Sequence, residues 1–184
     1  AQTAYDIILY FPKTYNLTGL SWMSLANNKT HRGVKGKSAL VNAVPYNYIF
    51  SSLWPTRQWN ITIEGLILDA GTKTLPYAGG GVIYGGGISN LKIIDCEIKG
   101  GTGDAIGAAY TVNPIIKNNK IYDSVGVGID LKGARDPLIV NNKIYGIEQD
   151  GISIYDGYYD SNSYDNYGAQ IINNNLDDCQ VGIM

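Results

Sequence analysis

The chain has 184 residues, with 14 Lys plus Arg against 16 Asp plus Glu and a formal charge of −2. That length holds one domain with a real core. The near-neutral balance lacks the basic footprint of a nucleic-acid binder, no apolar run reaches bilayer-spanning length, and 45% hydrophobic residues argue against disorder. Much of the polar complement is uncharged, with 23 Gly, 15 Tyr and only 16% charged residues. Cys96 and Cys179 are too few for a disulfide framework, and there is no CxxC or Cys/His cluster, so no metal site is expected from them. The single histidine, His31, argues against histidine-based zinc sites and a Ser-His-Asp triad.

In chain order, Asn60-Ile61-Thr62-Ile63-Glu64-Gly65-Leu66-Ile67-Leu68 is the first regular segment, and it matches Asn90-Leu91-Lys92-Ile93 at a step of 30. Four tighter copies of Ile-x-Asn/Asp-Asn/Cys-x-Ile/Leu follow. They are Ile93-Ile94-Asp95-Cys96-Glu97-Ile98, Ile116-Lys117-Asn118-Asn119-Lys120-Ile121, Ile139-Val140-Asn141-Asn142-Lys143-Ile144 and Ile171-Ile172-Asn173-Asn174-Asn175-Leu176. Their last apolar residues step by 23, 23 and 32. A second motif follows in phase: Gly103-Asp104-Ala105-Ile106, Gly126-Val127-Gly128-Ile129, Gln149-Asp150-Gly151-Ile152 and Gln180-Val181-Gly182-Ile183 step by 23, 23 and 31. Two motifs moving together at one period identify an internal repeat.

A period of this length suits one coil of a solenoid. The Ile-x-Ile alternation predicts short strands with one face on a core, and Asn-Asn and Gly mark the turns. With coils stacked ~4.8 Å apart, Asn118, Asn141 and Asn173 form one column. Asn119, Asn142 and Asn174 form a second, with Cys96 in line. Each amide can donate to one neighbour and accept from the other. Leucine-rich repeats share the period but require Leu-x-x-Leu-x-Leu, and a left-handed hexapeptide helix requires a six-residue step. The prediction is an all-β fold, a right-handed parallel β-helix of about seven coils. Residues 1–184 are read as a single domain, with opening coils at 1–58 and regular repeats at 59–184 that carry a Tyr-rich insertion at 155–169. Because the last copy stops mid-repeat at Ile183-Met184, the chain is expected to be a fragment of a longer β-helical protein. Its C-terminal coil would then be capped by further chain or a partner.

The repeats resemble the short parallel β-helix repeats of pectate lyases, polygalacturonases and phage tailspikes. Asp6-Ile7-Ile8-Leu9-Tyr10-Phe11-Pro12-Lys13-Thr14-Tyr15 is similar to the V-x-F-P-x-G-x-Y opening coil of that superfamily, with Lys13 where Gly is commoner. Thr30-His31-Arg32-Gly33-Val34-Lys35-Gly36-Lys37-Ser38-Ala39-Leu40 resembles its R-G-x-G-x-x-T-x-L coil. The resemblance implies a fold and a range of activities, since such helices serve lyases, hydrolases, epimerases and adhesins. Neither the Asn-Thr-Asp and Gly-His motifs of polygalacturonases nor the Asp-Pro-His motif of alginate epimerases is present, so no catalytic residue carries over. Lys132-Gly133-Ala134-Arg135-Asp136-Pro137 offers cations of the kind pectate lyases use, without their Arg pattern.

Polysaccharide-active β-helices work on an outer face where carboxylates of neighbouring coils converge. Asp104 and Asp150 share a column two coils apart, ~9.6 Å by strand spacing and close to the separation used by inverting glycosidases. Asp130 and Asp156 lie on later coils of the same region, and the four are the candidate catalytic residues. The competing reading is that Asp and Gly begin turns for local hydrogen-bonding reasons. The insertion supplies the candidate ligand-binding residues Tyr155, Tyr158, Tyr159, Tyr164, Asp165 and Tyr167, because saccharides stack on aromatic rings and hydrogen-bond to carboxylates. The same residues also suit a loop packed on its own coil. Asp160-Ser161-Asn162 with Asp165 offers oxygens for Ca2+ but lacks an EF-hand pattern; no other cofactor is expected. A second Gly-rich insertion runs from Ala70 to Gly87. Asn16, Asn28 and Asn60 open glycosylation tripeptides.

These readings lead to an extracellular or virion surface-recognition domain, tailspike-, fibre- or adhesin-like, that binds a host-surface polysaccharide or glycoprotein. By analogy with tailspikes it is expected to be a homotrimer, with no nucleic-acid or membrane partner. The alternatives are a secreted polysaccharide lyase or glycoside hydrolase using the outer carboxylates, and a structural spacer of a filament or surface layer.

Overall fold

A computed structural model describes residues 6–17, 23–42, 48–52, 56–71, 81–159 and 162–184, with 159, 162 and 163 described by backbone alone. The first coil carries β1 (Asp6–Leu9), β2 (Thr14–Asn16) and β3 (Met23–Leu25), and the second β4 (Lys29–Arg32), β5 (Ala39–Val41) and β6 (Phe50–Ser52). The third has β7 (Gln58–Glu64), β8 (Ile67–Asp69) and β9 (Ile83–Gly86); the fourth has β10 (Ile88–Ile94), β11 (Glu97–Lys99) and β12 (Ile106–Ala109). The fifth has β13 (Ile115–Lys117), β14 (Lys120–Tyr122) and β15 (Ile129–Lys132). The sixth has β16 (Leu138–Val140) and the long β17 (Lys143–Tyr155), followed by a hairpin of β18 (Gly157–Tyr159) and β19 (Asn162–Tyr164). The seventh has β20 (Gln170–Ile172) and β21 (Asn175–Ile183).

Each strand pairs in parallel with its copy in the next coil, giving a first sheet of seven strands from β1 to β20. A second sheet runs through β2, β5, β8, β11 and β14 into the start of β17, and a third through β3, β6, β9, β12 and β15 into its end. The fold is a right-handed parallel β-helix, as the period predicts. Because β17 turns the corner without interruption, the second and third sheets are continuous there.

Three inward columns make the core. Ile63, Ile93, Ile116 and Ile139 line up on the first sheet, and Leu40, Leu68, Ile98, Ile121 and Ile144 on the second. Phe50, Ile83, Ile106, Ile129 and Ile152 line up on the third. All of these are fully buried, and each contributes about 2 kcal/mol of burial free energy. His31 stands in the first column directly above Ile63 and is buried like its aliphatic neighbours. Its Nδ1 meets the Tyr10 hydroxyl at 3.0 Å, its ring packs on Phe50, and its Nε2 has no hydrogen-bond partner among the described residues. Burial pulls its pKa down to about 4, with the Lys29 charge adding to the effect.

The predicted amide ladder lies at the turn between the first and second sheets. Asn119 Nδ2 donates to Asn142 Oδ1 at 3.0 Å, and Asn142 Nδ2 donates to Asn174 Oδ1 at 2.9 Å. Each ladder oxygen also accepts a backbone N–H of the preceding coil, that of Cys96, Asn119 or Asn142, at 2.9 Å. The outer residue of each pair, Asn118, Asn141 or Asn173, takes the left-handed backbone angle (φ 57°, 57° and 53°) that lets the chain turn in two residues. A second ladder, not read from the sequence, lies at the N-terminal side of the first sheet, with Asn60 and Asn90 at bends inside β7 and β10. There Asn60 donates to Asn28 and Asn90 to Asn60 at 3.0 Å, and Asn113 donates to Asn90 at 3.4 Å. This removes Asn28 and Asn60 from the set of open glycosylation acceptors, since Asn28 is buried and the Asn60 Nδ2 is engaged in the ladder. Both cysteines are free thiols, and Cys96 is buried.

Candidate functional site

The carboxylate-bearing face is the outside of the third sheet. Alternation in β15 points Ile129 and Leu131 into the core and leaves Asp130 and Lys132 outside. Asp130 lies in register with Gly107 of the coil before and Ser153 of the coil after, and Tyr84 precedes Gly107 in the same column. Gly107 has no side chain of its own there, and the Tyr84 ring and the Asp104 carboxyl close over it, 3.4 and 3.8 Å from where a Cβ would stand.

Asp104, Val127 and Asp150 occupy equivalent places two residues before the Ile106, Ile129 and Ile152 column, with Asp150 already inside β17. Asp104 Oδ1 accepts the Val127 N–H at 2.9 Å. It lies so close to Gly126 that no Cβ fits there, which accounts for glycine at that step of the second motif. Burial raises the Asp104 pKa, and the Val127 N–H opposes the rise. Asp130 is pushed up to about 6, first by burial and then by the Asp104 charge, with Asp150 adding to the effect. The Tyr155 hydroxyl, which donates to Asp130 Oδ2 at 3.1 Å, and the Lys132 ammonium pull it back. The Tyr84 hydroxyl is also raised, by burial and by the nearby Tyr110 and Asp130. The result is a carboxyl that holds its proton up to about pH 6 beside two further carboxylates, bordered by tyrosines and Lys132.

The fourth candidate, Asp156, lies outside this cluster. Its Oδ1 accepts the Asn166 N–H at 2.8 Å and closes the base of the β18–β19 hairpin. The tyrosines of the insertion divide in the same way. Tyr164 packs its ring on Tyr110 at 4.7 Å, and the Tyr110 hydroxyl donates to the Tyr158 carbonyl at 2.8 Å. Gly157 sits against the Tyr110 ring and the Lys132 stem. The hairpin is thus folded down over the fourth and fifth coils, not on its own, while Tyr155, Tyr158 and Tyr167 remain 41%, 71% and 50% exposed. Tyr167 lies under the Arg135 guanidinium at 5.5 Å, and Asp165 is exposed. The Tyr159 side chain and the calcium candidates Asp160 and Ser161 fall outside the described residues, as do positions 72–80 of the second insertion. Among the described residues no group of three His, Cys, Asp or Glu is arranged to hold a metal ion.

Tyr84 and Tyr110 belong to this face and were not singled out from the sequence. The signal was present, because Gly81-Val82-Ile83 is the second motif one step of 23 before Asp104-Ala105-Ile106. Extending the repeat upward one coil places Tyr84 over Gly107.

Residues 56–184 match the family described as the right handed beta helix region, and the chain belongs to that family. No curated protein matches it in sequence. Among solved structures it is similar to the ORF18 protein of Geobacillus virus E2, with a TM-score of 0.73 at 13% identity over 95% of this chain. The match takes in 35% of the viral protein, so the chain spans about a third of its length. A candidate glycosyl hydrolase from Parabacteroides merdae aligns over 96% of this chain and 83% of its own, at 13% identity and a TM-score of 0.49. The A-module of a mannuronan C-5 epimerase from Azotobacter vinelandii aligns over 98% and 89%, at 11% identity and a TM-score of 0.40. At these identities the likeness is one of fold.

Proposed function

We propose that this β-helix is a glycan-recognition domain on a virion or cell exterior, and that saccharide lies across the third-sheet face around Asp130. The observation that carries the reading is the convergence of Asp104, Asp130 and Asp150 from successive coils beside Tyr84 and Tyr155. Carboxylates and tyrosine hydroxyls hydrogen-bond sugar hydroxyls, and the ring of the 41% exposed Tyr155 offers a surface for a pyranose to stack on. The viral source of the ORF18 structure supports the setting. A tailspike-like trimer is the assembly the family resemblance favours.

A second reading is glycoside hydrolysis, and it rests on the Asp130 carboxyl, raised to about 6. A protonated Asp130 could deliver its proton to a glycosidic oxygen while Asp150 or Asp104 served as the base toward water. The test is to screen the chain within its parent protein against neutral and acidic polysaccharides, reading bound ligand and released reducing or unsaturated ends together. Binding that Asp130→Asn weakens, with no cleavage, supports recognition. Cleavage that Asp130→Asn abolishes while binding persists makes the face an active site. Wild-type behaviour of Asp130→Asn in both assays, or no binding to any polysaccharide, overturns the assignment to this face.

A further inference from the structure

The outside of the second sheet carries a different chemistry. There Glu97, Lys120 and Lys143 stand in one register column, and Lys99, Tyr122 and Tyr145 in the next. Each of the earlier lysines has a carboxylate in the coil before it. Lys99 pairs with Asp69 at 2.9 Å and Lys120 with Glu97 at 3.1 Å. Lys143 breaks the pattern, because the residue in that place is Lys120. Among the described residues Lys143 has no ion-pair partner, and its ammonium lies over the Tyr145 ring at 5.2 Å. Two lysines directly in register on neighbouring strands repel each other, an arrangement that costs stability.

The Tyr122 and Tyr145 rings stack at 5.1 Å with planes 3° apart, and Lys120 lies over Tyr122 at 4.5 Å. Stacking along the solenoid turns the ring edges outward, and aromatic edges carry partial positive charge. Beside this ladder, at the amide turn, a cavity of about 390 Å³ is lined by Lys35, Lys120, Lys143, Glu97, Asn118 and Asn141 among others. Its size falls in the range of small-ligand sites. Lys35 is held by Asp95 at 2.8 Å on the far wall, so the uncompensated charge sits at the Lys143 end.

We propose that this groove binds an acidic saccharide, a uronate or a sulfated sugar, with Lys143 and Lys120 on its anionic group and, on its hydroxyls, the Asn118 Nδ2 and Asn141 Oδ1 atoms that the Asn141-to-Asn118 bond at 3.4 Å leaves over. An anion between the two ammonium groups removes their repulsion. Lysine and glutamate are depleted at protein–protein interface cores, which favours a small polar ligand over a protein surface here. The third-sheet face, with its three carboxylates, repels the same ligand, so the two faces select saccharides of opposite character. The inference is independent of the reading of the third sheet.

Calorimetric titration of the full chain at low salt with oligogalacturonate, a sulfated dextran oligomer and neutral dextran is the test. Binding of either acidic oligomer in preference to dextran is expected, weakening with added salt. Lys143→Gln lowers that affinity about tenfold and leaves the thermal midpoint unchanged or slightly higher, since repulsion is relieved. Asp130→Asn leaves it unaltered. The proposal is overturned by equal affinity for dextran, by wild-type binding of Lys143→Gln, or by loss of acidic-oligomer binding in Asp130→Asn. Neutral-glycan binding that depends on Asp130, without any acidic preference, would leave the third-sheet reading standing and remove this one.

Discussion

The outer faces of the second and third sheets are built from the same coils, and they treat charge in opposite ways. On the second sheet Asp69–Lys99 and Glu97–Lys120 alternate in sign from coil to coil, leaving one lysine over. On the third sheet Asp104, Asp130 and Asp150 gather with Lys132 as the cation that acts on Asp130, and burial raises the first two acids. The inward columns must repeat an aliphatic residue at every step to fill the core, whereas the outward columns are bound only by strand geometry. A solenoid can therefore hold one period inside while carrying two unrelated chemistries outside.

Both faces hang on the amide ladder, so the largest effect comes from breaking it. Asn142 Nδ2 donates to Asn174 Oδ1 and to the Ile116 carbonyl, and its Oδ1 accepts the Asn119 N–H, all at 2.9 Å. Asn142→Ala leaves these buried groups unpaired, and a loss of about 3 kcal/mol is expected. Chemical denaturation measures it. A midpoint equal to that of the wild type would mean that the ladder ornaments the turn and does not hold it.

The next effect separates the third-sheet face from the interior by pH. His31 is lowered to about 4 in the folded chain, so between its ordinary value near 6.5 and 4 the unfolded chain binds the extra proton. Stability from this group is lost as pH falls through that window, by about 3 kcal/mol in full. Asp130 is raised to about 6 from 3.8, so the folded chain binds the extra proton between those values and stability falls as pH rises. The two slopes oppose each other between about pH 4 and 6. Wild-type stability is expected to be nearly flat there, with Asp130→Asn exposing the acid instability of His31. Conversely, His31→Leu exposes the decline of Asp130 toward neutral pH. Parallel pH profiles in all three proteins would show that neither group titrates as its surroundings dictate.

What the sequence made legible follows the same division. The aliphatic columns and Asn119, Asn142 and Asn174 recur at the coil period because each coil needs the same residue, and periodicity is visible in one chain. Asp104 and Asp150 could be placed in one column for the same reason. The hydrogen bond from Tyr155 to Asp130 joins neighbouring columns, and no spacing rule connects those two residues. Lys120 and Lys143 lay in plain view as the residues after each Asn-Asn pair, but their meaning depends on which carboxylates lie beside them. Tyr164 read as a ligand residue because it shares a polar, tyrosine-rich segment with Tyr158; only the contact with Tyr110 distinguishes them. That His31 stands in an isoleucine column was not legible, because the long, irregular opening coils hide its register with Ile63.

The smallest effect sharpens the second-sheet half of the comparison. Glu97 sits below the usual carboxylate range, held there first by the Tyr122 hydroxyl at 2.7 Å and then by Lys120. Its contribution is present at neutral pH and fades as pH falls through its lowered pKa. The Lys120 side chain is 45% exposed, so the pair is screened by water and Glu97→Gln should cost no more than about 1 kcal/mol. The same substitution releases Lys120 from its internal partner and places two uncompensated lysines in register. If the groove takes an acidic saccharide, affinity should rise as stability slips, a pairing of signs that lost packing cannot produce. Calorimetry and thermal melts on one preparation of Glu97→Gln read both quantities. Weaker binding alongside the lower midpoint would mean that Glu97 positions Lys120 for the ligand and does not compete with it.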